Sequence, residues 1–236
     1  MYVQALGRYR MAVAGRSPTT SRRRAGSTST GHPPSVLPCR AATCSRCDPM
    51  GERLFTAVIP PAHIVDELSR WIDPRRDPEW RWMDASEWHV TLAFYADVEP
   101  WRYEELVDRL TSATARTPSF PLRLRSVGCF ASAAKAHVLY AEVEDPAGSL
   151  PDLAAHCHTA ATTSGIEVPR QKYHPHVTLG RRNRPADGSR HLRALAELET
   201  DRWDVTEIAI IQSFLGQGPR GTPRYVVRER LSLARP

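Results

Sequence analysis

The string His-Val-Thr-Leu stands twice in the chain, as His89-Val90-Thr91-Leu92 and as His176-Val177-Thr178-Leu179, and any fold has to explain both copies. Each copy lies in an apolar run of strand type, residues 88–95 and 176–181, where the side-chain period is two. Histidine and threonine then share one face. Val90 with Leu92, and Val177 with Leu179, take the opposite face and anchor the strand in a core. Next on the polar face come Ala93 in the first copy and Gly180 in the second, both small enough to leave room for a ligand. Two imidazoles and two hydroxyls are therefore expected to converge on one small anion.

The pattern around the copies is regular from residue 53 onward. A strand at 53–59 leads to a helix at 61–72, opened by Pro60-Pro61 and striped with Ile64, Val65, Leu68 and Trp71. A loop at 73–79, rich in Pro and Arg, precedes the strand of the first copy, and a helix at 99–114, apolar at Leu106, Val107 and Leu110, follows it. Residues 120–130 and 137–144 alternate as a hairpin. A helix at 150–164 ends at Gly165, a suitable C-cap. After the second copy come a helix at 189–198 and two alternating runs, 203–215 and 224–233. The Gly- and Pro-rich stretch 216–223 between those runs, carrying Arg220, reads either as a cover for a cleft or as a long hairpin turn. The expected fold is α+β and bilobal: two pseudo-symmetric antiparallel-sheet lobes with outer helices, their strings facing each other across a central cleft.

Charge divides unevenly along the chain. Residues 1–49 contain eight arginines, no lysine and one acid, Asp48, a net of +7, so residues 50–236 carry −1 of the whole-chain +6. The folded part is thus no general polyanion-coating surface. One local basic stretch remains, Arg170, Lys172, Arg181, Arg182 and Arg184, with the second copy inside it. Residues 1–49 are too poor in apolar periodicity to offset ordering entropy and read as a disordered basic extension. They also resemble a transit peptide, or an over-extended reading frame before Met50, the option favoured here. Cys39, Cys44 and Cys47 with His32 could hold zinc, although their spacing is irregular. The odd count of five cysteines argues against a disulfide framework. No apolar run reaches the roughly 20 residues of a membrane span, so a cytoplasmic monomer of one domain, 50–236, is expected.

The residue types at the two strings suit one chemistry. Hydrolysis of a phosphodiester needs a base for the attacking water and an acid for the leaving oxygen. Two histidines with an ordinary pKa of about 6.5 can share those tasks near neutral pH, one neutral and one protonated. Threonine hydroxyls can donate to non-bridging phosphate oxygens, and arginine can balance the growing charge. No metal or cofactor is required, and His174-x-His176 lacks the carboxylates or cysteines that would make it a metal pair. A lone His-x-Thr is weak evidence, and a strand histidine is commonly structural; the argument rests on the conjunction of string, strand and basic cluster.

The strings His89–Phe94 and His176–Arg181 resemble the paired His-x-Thr-x motifs of the two-histidine phosphoesterase superfamily, and residues 53–233 resemble its bacterial RNA 2′,3′-cyclic phosphodiesterases, also called the 2′-5′ RNA ligase family. The resemblance implies a bilobal cleft and metal-free hydrolysis of a 2′,3′-cyclic phosphate on RNA ends or nucleotides to a 2′-phosphate, with reversible 2′-5′ ligation in some members. It makes His89 the proton donor, His176 the base, Thr91 and Thr178 the phosphate holders, and Arg181 the family's arginine five residues after the second histidine. Strict alternation instead puts Arg182 on the histidine's face unless Gly180 kinks the strand, so Arg182 stands as the physical alternative. Phe94, at the matching place in the first copy, is either core or a rim aromatic able to stack on a base. A binding module that holds a nucleotide or RNA end in the same cleft without turnover is the competing reading.

Overall fold

The computed structural model describes residues 51–169 and 172–235. The extension 1–49, with the zinc reading of His32, Cys39, Cys44 and Cys47, lies outside the described residues, as do Met50 and Arg170. The elements run β1 (Glu52–Val58), α1 (Ala62–Ile72), β2 (Arg81–Trp82), β3 (Val90–Val98), α2 (Tyr103–Thr114), β4 (Phe120–Phe130), β5 (Ala136–Glu144), α3 (Ser149–Thr163), β6 (His176–Ala186), α4 (Ser189–Ala194), β7 (Trp203–Val205), β8 (Glu207–Phe214) and β9 (Arg224–Ser232).

The two lobes meet edge to edge in one antiparallel sheet of order β7-β4-β5-β6-β3-β1-β8-β9, with β2 as an additional partner of β6. Four strands lie on each side of the β6–β3 junction, and that junction is a single register pair, Val90 with Val177. The strings are thus neighbours on adjoining strands. Both valines are fully buried, and each such side chain withdrawn from water stabilises the fold by about 1.5–3 kcal/mol. Because the two are equivalent members of their strings, a local pseudo-twofold relation passes through their contact.

The helices cover the core face of the sheet. Helix α1 begins after Pro61 and buries Ile64, Leu68 and Ile72, the helical stripe visible in the sequence. Although α1 follows β1 in the chain, its Glu67 accepts from the Asp201 N–H beside β7, in the opposite half of the sheet. Helix α3 likewise follows β5 yet packs against β3 and α2. Each half of the sheet is therefore held by a helix that chain order would assign to the other.

Three segments differ from the sequence expectation. The run 203–215 is broken at Thr206: β7 pairs with β4 while β8 pairs with β1 and β9, so one alternating stretch serves both halves. Helix α4 stops at Ala194 instead of Leu198. The stretch before the first copy contains β2, which extends along β6 through Arg81–Arg181 and Trp82–Gly180, followed by the Met83 N–H donating to the Leu179 carbonyl at 2.8 Å. Among the described residues, no helix is long and apolar enough to cross a membrane.

Tyr95 joins three of these elements. Its ring is fully buried on β3, its hydroxyl donates to the Cys157 carbonyl of α3 at 3.3 Å, and it lies 3.2 Å from the buried Thr56 hydroxyl of β1. Tyr95→Phe should leave Thr56 without this partner and lower unfolding stability by about 1 kcal/mol. The check is urea denaturation; an unchanged midpoint would show that the bond contributes nothing net.

Candidate active site

Both strings carry a β-bulge at their fourth residue. On β1, consecutive Thr56 and Ala57 oppose Ala93 and Thr91, which leaves Leu92 as the extra residue. On β5, consecutive Leu139 and Tyr140 oppose Gly180 and Thr178, which leaves Leu179 as the extra residue. An extra residue resets a period of two. Phe94 therefore joins His89 and Thr91 on the site face in place of Ala93, and Arg181 joins His176 and Thr178 in place of Gly180.

This reset separates the two arginines left open by the sequence. Arg181 lines the cavity with the histidines and threonines. Arg182 points elsewhere: its guanidinium stacks 4.0 Å from the Trp80 ring and pairs with Glu79 at 2.7 Å, with only 4% of its side chain exposed. Strict alternation is the wrong rule for this strand, and the candidate placement of Arg182 in the phosphate site is corrected by the Leu179 bulge.

The two histidines are held in the same way. The Nδ1–H of His89 donates to the Glu87 carbonyl at 2.6 Å, and that of His176 donates to the His174 carbonyl at 2.8 Å, in both cases two residues back. A carbonyl oxygen can only accept, so Nδ1 carries the proton and Nε2 is the basic nitrogen of each neutral ring. Residues 84–87 are shaped to present the first of these carbonyls. The Asp84 carboxylate accepts from the Ser86 N–H and hydroxyl, and the Glu87 carboxylate accepts from the Asp84 N–H, closing a capping box around one helical turn.

Aromatic rings enclose both imidazoles. Phe55 and Tyr225 lie with centroids 4.9 and 5.6 Å from His89, and Phe130 and Tyr140 lie 5.0 and 5.2 Å from His176. Burial is accordingly the chief reason that both pKa values fall to about 4. Arg181 lowers both further, and His174 and His89 add to the depression at His176, while the backbone carbonyls oppose it. Burial thus favours the neutral form of both rings near pH 7, against the expected split of one charged and one neutral ring.

The cavity measures about 640 Å³. Thr91 and Thr178 both face it, and neither hydroxyl has a side-chain partner among the described residues. Its first-copy wall contains Phe94, half-buried beneath the Arg53 guanidinium at 4.2 Å from the ring, so this aromatic lines the cavity. Its opposite wall contains Arg81 and Trp82 of β2, and its outer edge is formed by Leu215, Gly216 and residues 221–223 of the β8–β9 loop. That loop is the hairpin connection between β8 and β9, and it also lines the cavity, although its Arg220 does not. Sequence reasoning missed Arg53, Arg81 and Tyr225; a two-residue strand has no periodicity to detect, and the other two reach the site only through β1 and β9 pairing onto β8.

Comparison with known proteins identifies relatives of the chain. Residues 60–214 match the model of the 2′-5′ RNA ligase superfamily. The chain is 31% identical to the RNA 2′,3′-cyclic phosphodiesterase of Aeropyrum pernix over 151 residues, 62% of this chain and 84% of the relative. It is 28% identical to the Escherichia coli protein of the same name over 183 residues, 77% of this chain and 97% of that one. Among solved structures, apo E. coli LigT superposes with a TM-score of 0.64 at 26% identity, covering 78% of this chain and 99% of LigT. LigT complexed with 3′-AMP gives 0.62 at 27% identity, covering 77% and 98%. The family match spans well over half of the chain and includes both strings with the strands that seat them, so the chain belongs to the 2′-5′ RNA ligase superfamily.

Proposed function

We propose that this chain hydrolyses a terminal 2′,3′-cyclic phosphate on RNA or a nucleotide to a 2′-phosphate, using His89 and His176 as acid and base without a metal. The observation that carries the reading is the matched pair of imidazoles, each anchored through Nδ1 to a backbone carbonyl and each beside a threonine hydroxyl on one cavity wall. The names of the A. pernix and E. coli relatives support the reaction class.

In the proposed reaction, His176 Nε2 takes a proton from water as the water oxygen bonds to phosphorus. The P–O3′ bond breaks, and His89 gives a proton to the departing 3′ oxygen, which leaves the phosphate on the 2′ oxygen. The assignment of base to His176 follows the family resemblance, since both rings are lowered to about 4 and Arg181 lowers both. Thr91 and Thr178 donate to the non-bridging oxygens, and Arg181 balances the negative charge of the transition state. If a 5′ hydroxyl leaves or attacks in place of water, the same groups run 2′-5′ ligation and its reverse.

The anion itself completes the acid. Burial favours the neutral form of both rings near pH 7, and a bound phosphate favours the protonated form of one of them. The sign of the pH dependence follows. With free-enzyme values near 4, the population holding one proton between two rings shrinks as pH rises above that value. The kcat/KM profile should therefore peak on the acid side of pH 6.5, and the kcat profile, which reports the complex, should lie at higher pH. Steady-state rates with a nucleoside 2′,3′-cyclic phosphate across pH 4–9 check this; coincident profiles centred above pH 7 would contradict it.

Substitution tests the pair directly. His89→Ala and His176→Ala should each lower kcat/KM by about 10²–10⁴-fold, with wild-type turnover unaffected by EDTA. Turnover that survives either substitution would remove that histidine from the mechanism. Binding by the wild type with no turnover would favour the non-catalytic module.

A further inference from the structure

Behind His176 the sheet lacks a side chain where it most needs the space. Tyr140 of β5 stands opposite Gly128 of β4 on one side and opposite Thr178 of β6 on the other. Directly opposed residues share a face, so the three form one row on the face that carries the site. The tip of the Tyr140 ring lies over the glycine. A Cβ at position 128 would come within 2.6 Å of the Tyr140 Cε2 and 2.5 Å of its Cζ, and closer still to its hydroxyl. Non-bonded carbon atoms settle at about 3.5–4.0 Å, so any side chain at 128 would drive the ring back by about 1 Å.

An exposed tyrosine could swing its tip aside at little cost. Tyr140 is only 6% exposed, and three rings close its other sides, with centroids at 4.4 Å for Phe130 and 5.2 Å for both His174 and His176. Phe130 is in turn 5.0 Å from His176 and 5.5 Å from His174. A displaced Tyr140 therefore has only these packed rings to push against, and one of them is the imidazole of the second string. That imidazole is tethered at one atom, its Nδ1–H donating to the His174 carbonyl at 2.8 Å. A single hydrogen bond leaves the ring free to tilt about it, and the flanking rings of Tyr140 and Phe130 stop the tilt. A ring laid over a cross-strand glycine also stabilises a sheet by itself; the neighbours on its other sides tie this one to the site.

We infer that Gly128 is a positioning residue for His176: its bare backbone seats the Tyr140 ring, and the seated ring holds the imidazole in the plane from which Nε2 faces the cavity. The inference rests on the reaction proposed above only for the role of His176, and one arm of its test does not require turnover.

Gly128→Ala should lower kcat for a nucleoside 2′,3′-cyclic phosphate by about 10²-fold, the scale of a misplacement of about 1 Å. KM should change little, because the threonines and Arg181 keep their places. Tyr140→Leu removes the ring that the new methyl group would strike, so adding Gly128→Ala to Tyr140→Leu should cost nothing further. If Gly128 served only the pairing of β4 with β5, the alanine would cost the same with or without the ring. Proton NMR gives the arm that needs no turnover. The Cε1–H resonance of His176, which lies beside Tyr140, should move in Gly128→Ala while that of His89, enclosed by Phe55 and Tyr225, stays in place. Thermal melting tracks folding; should Gly128→Ala fail to fold, the comparison of Tyr140→Leu with the double variant decides. Additive losses, or a His176 resonance that does not move, would overturn the positioning role. A resonance that moves as expected in a protein whose wild type turns over no cyclic phosphate would leave the positioning standing and overturn the reaction.

Discussion

Where β6 meets β3 the strands share one register pair, the buried valines Val90 and Val177, before they part. That brief contact brings together two histidines 87 positions apart in the chain. A longer shared ladder would close the space into which the imidazoles and hydroxyls project, and a missing one would leave two unrelated sheet edges. The helices reinforce the arrangement, because α3 packs against β3 and the middle of α1 is tied beside β7 through Glu67, so each side of the sheet depends on the other side's chain segment. The cavity is a product of sheet closure, with no separate binding module added to it.

The electrostatics follow from the same architecture. Histidines that begin or precede a strand, in a sheet curled toward its own aromatic residues, lose water on most sides. Their pKa values fall, and burial favours the neutral form of both rings near pH 7. An anion beside either ring would favour its protonated form, which a neutral ligand would not.

Much of this was legible in the sequence. The repeated string identified the histidines and threonines, the apolar stripe of α1 located the helix, and Gly165 marked the end of α3, where it adopts φ 72°. The parts that were not legible share a physical cause. A bulge leaves little trace in composition: Gly180 hints at the one in the second copy, but Leu92-Ala93 hints at nothing. Strand β2 is too short to show a period, and the run through Thr206 alternates without a sign that it changes partners. The pKa depression depends on Tyr225 and Phe130, which are remote in sequence from the rings they enclose.

The paired bulges at Leu92 and Leu179 give the strings a property that resembles a reading frame. From histidine to the fifth residue after it, one unit of chain is spent on a change of parity, and only then does Phe94 or Arg181 face inward. Replacing a residue within the string alters one contact and leaves the rest in phase. Loss or gain of a single residue restores or doubles the parity change and turns everything downstream to the opposite face. Insertion or deletion within either string therefore disturbs the site more widely than a substitution that keeps the count.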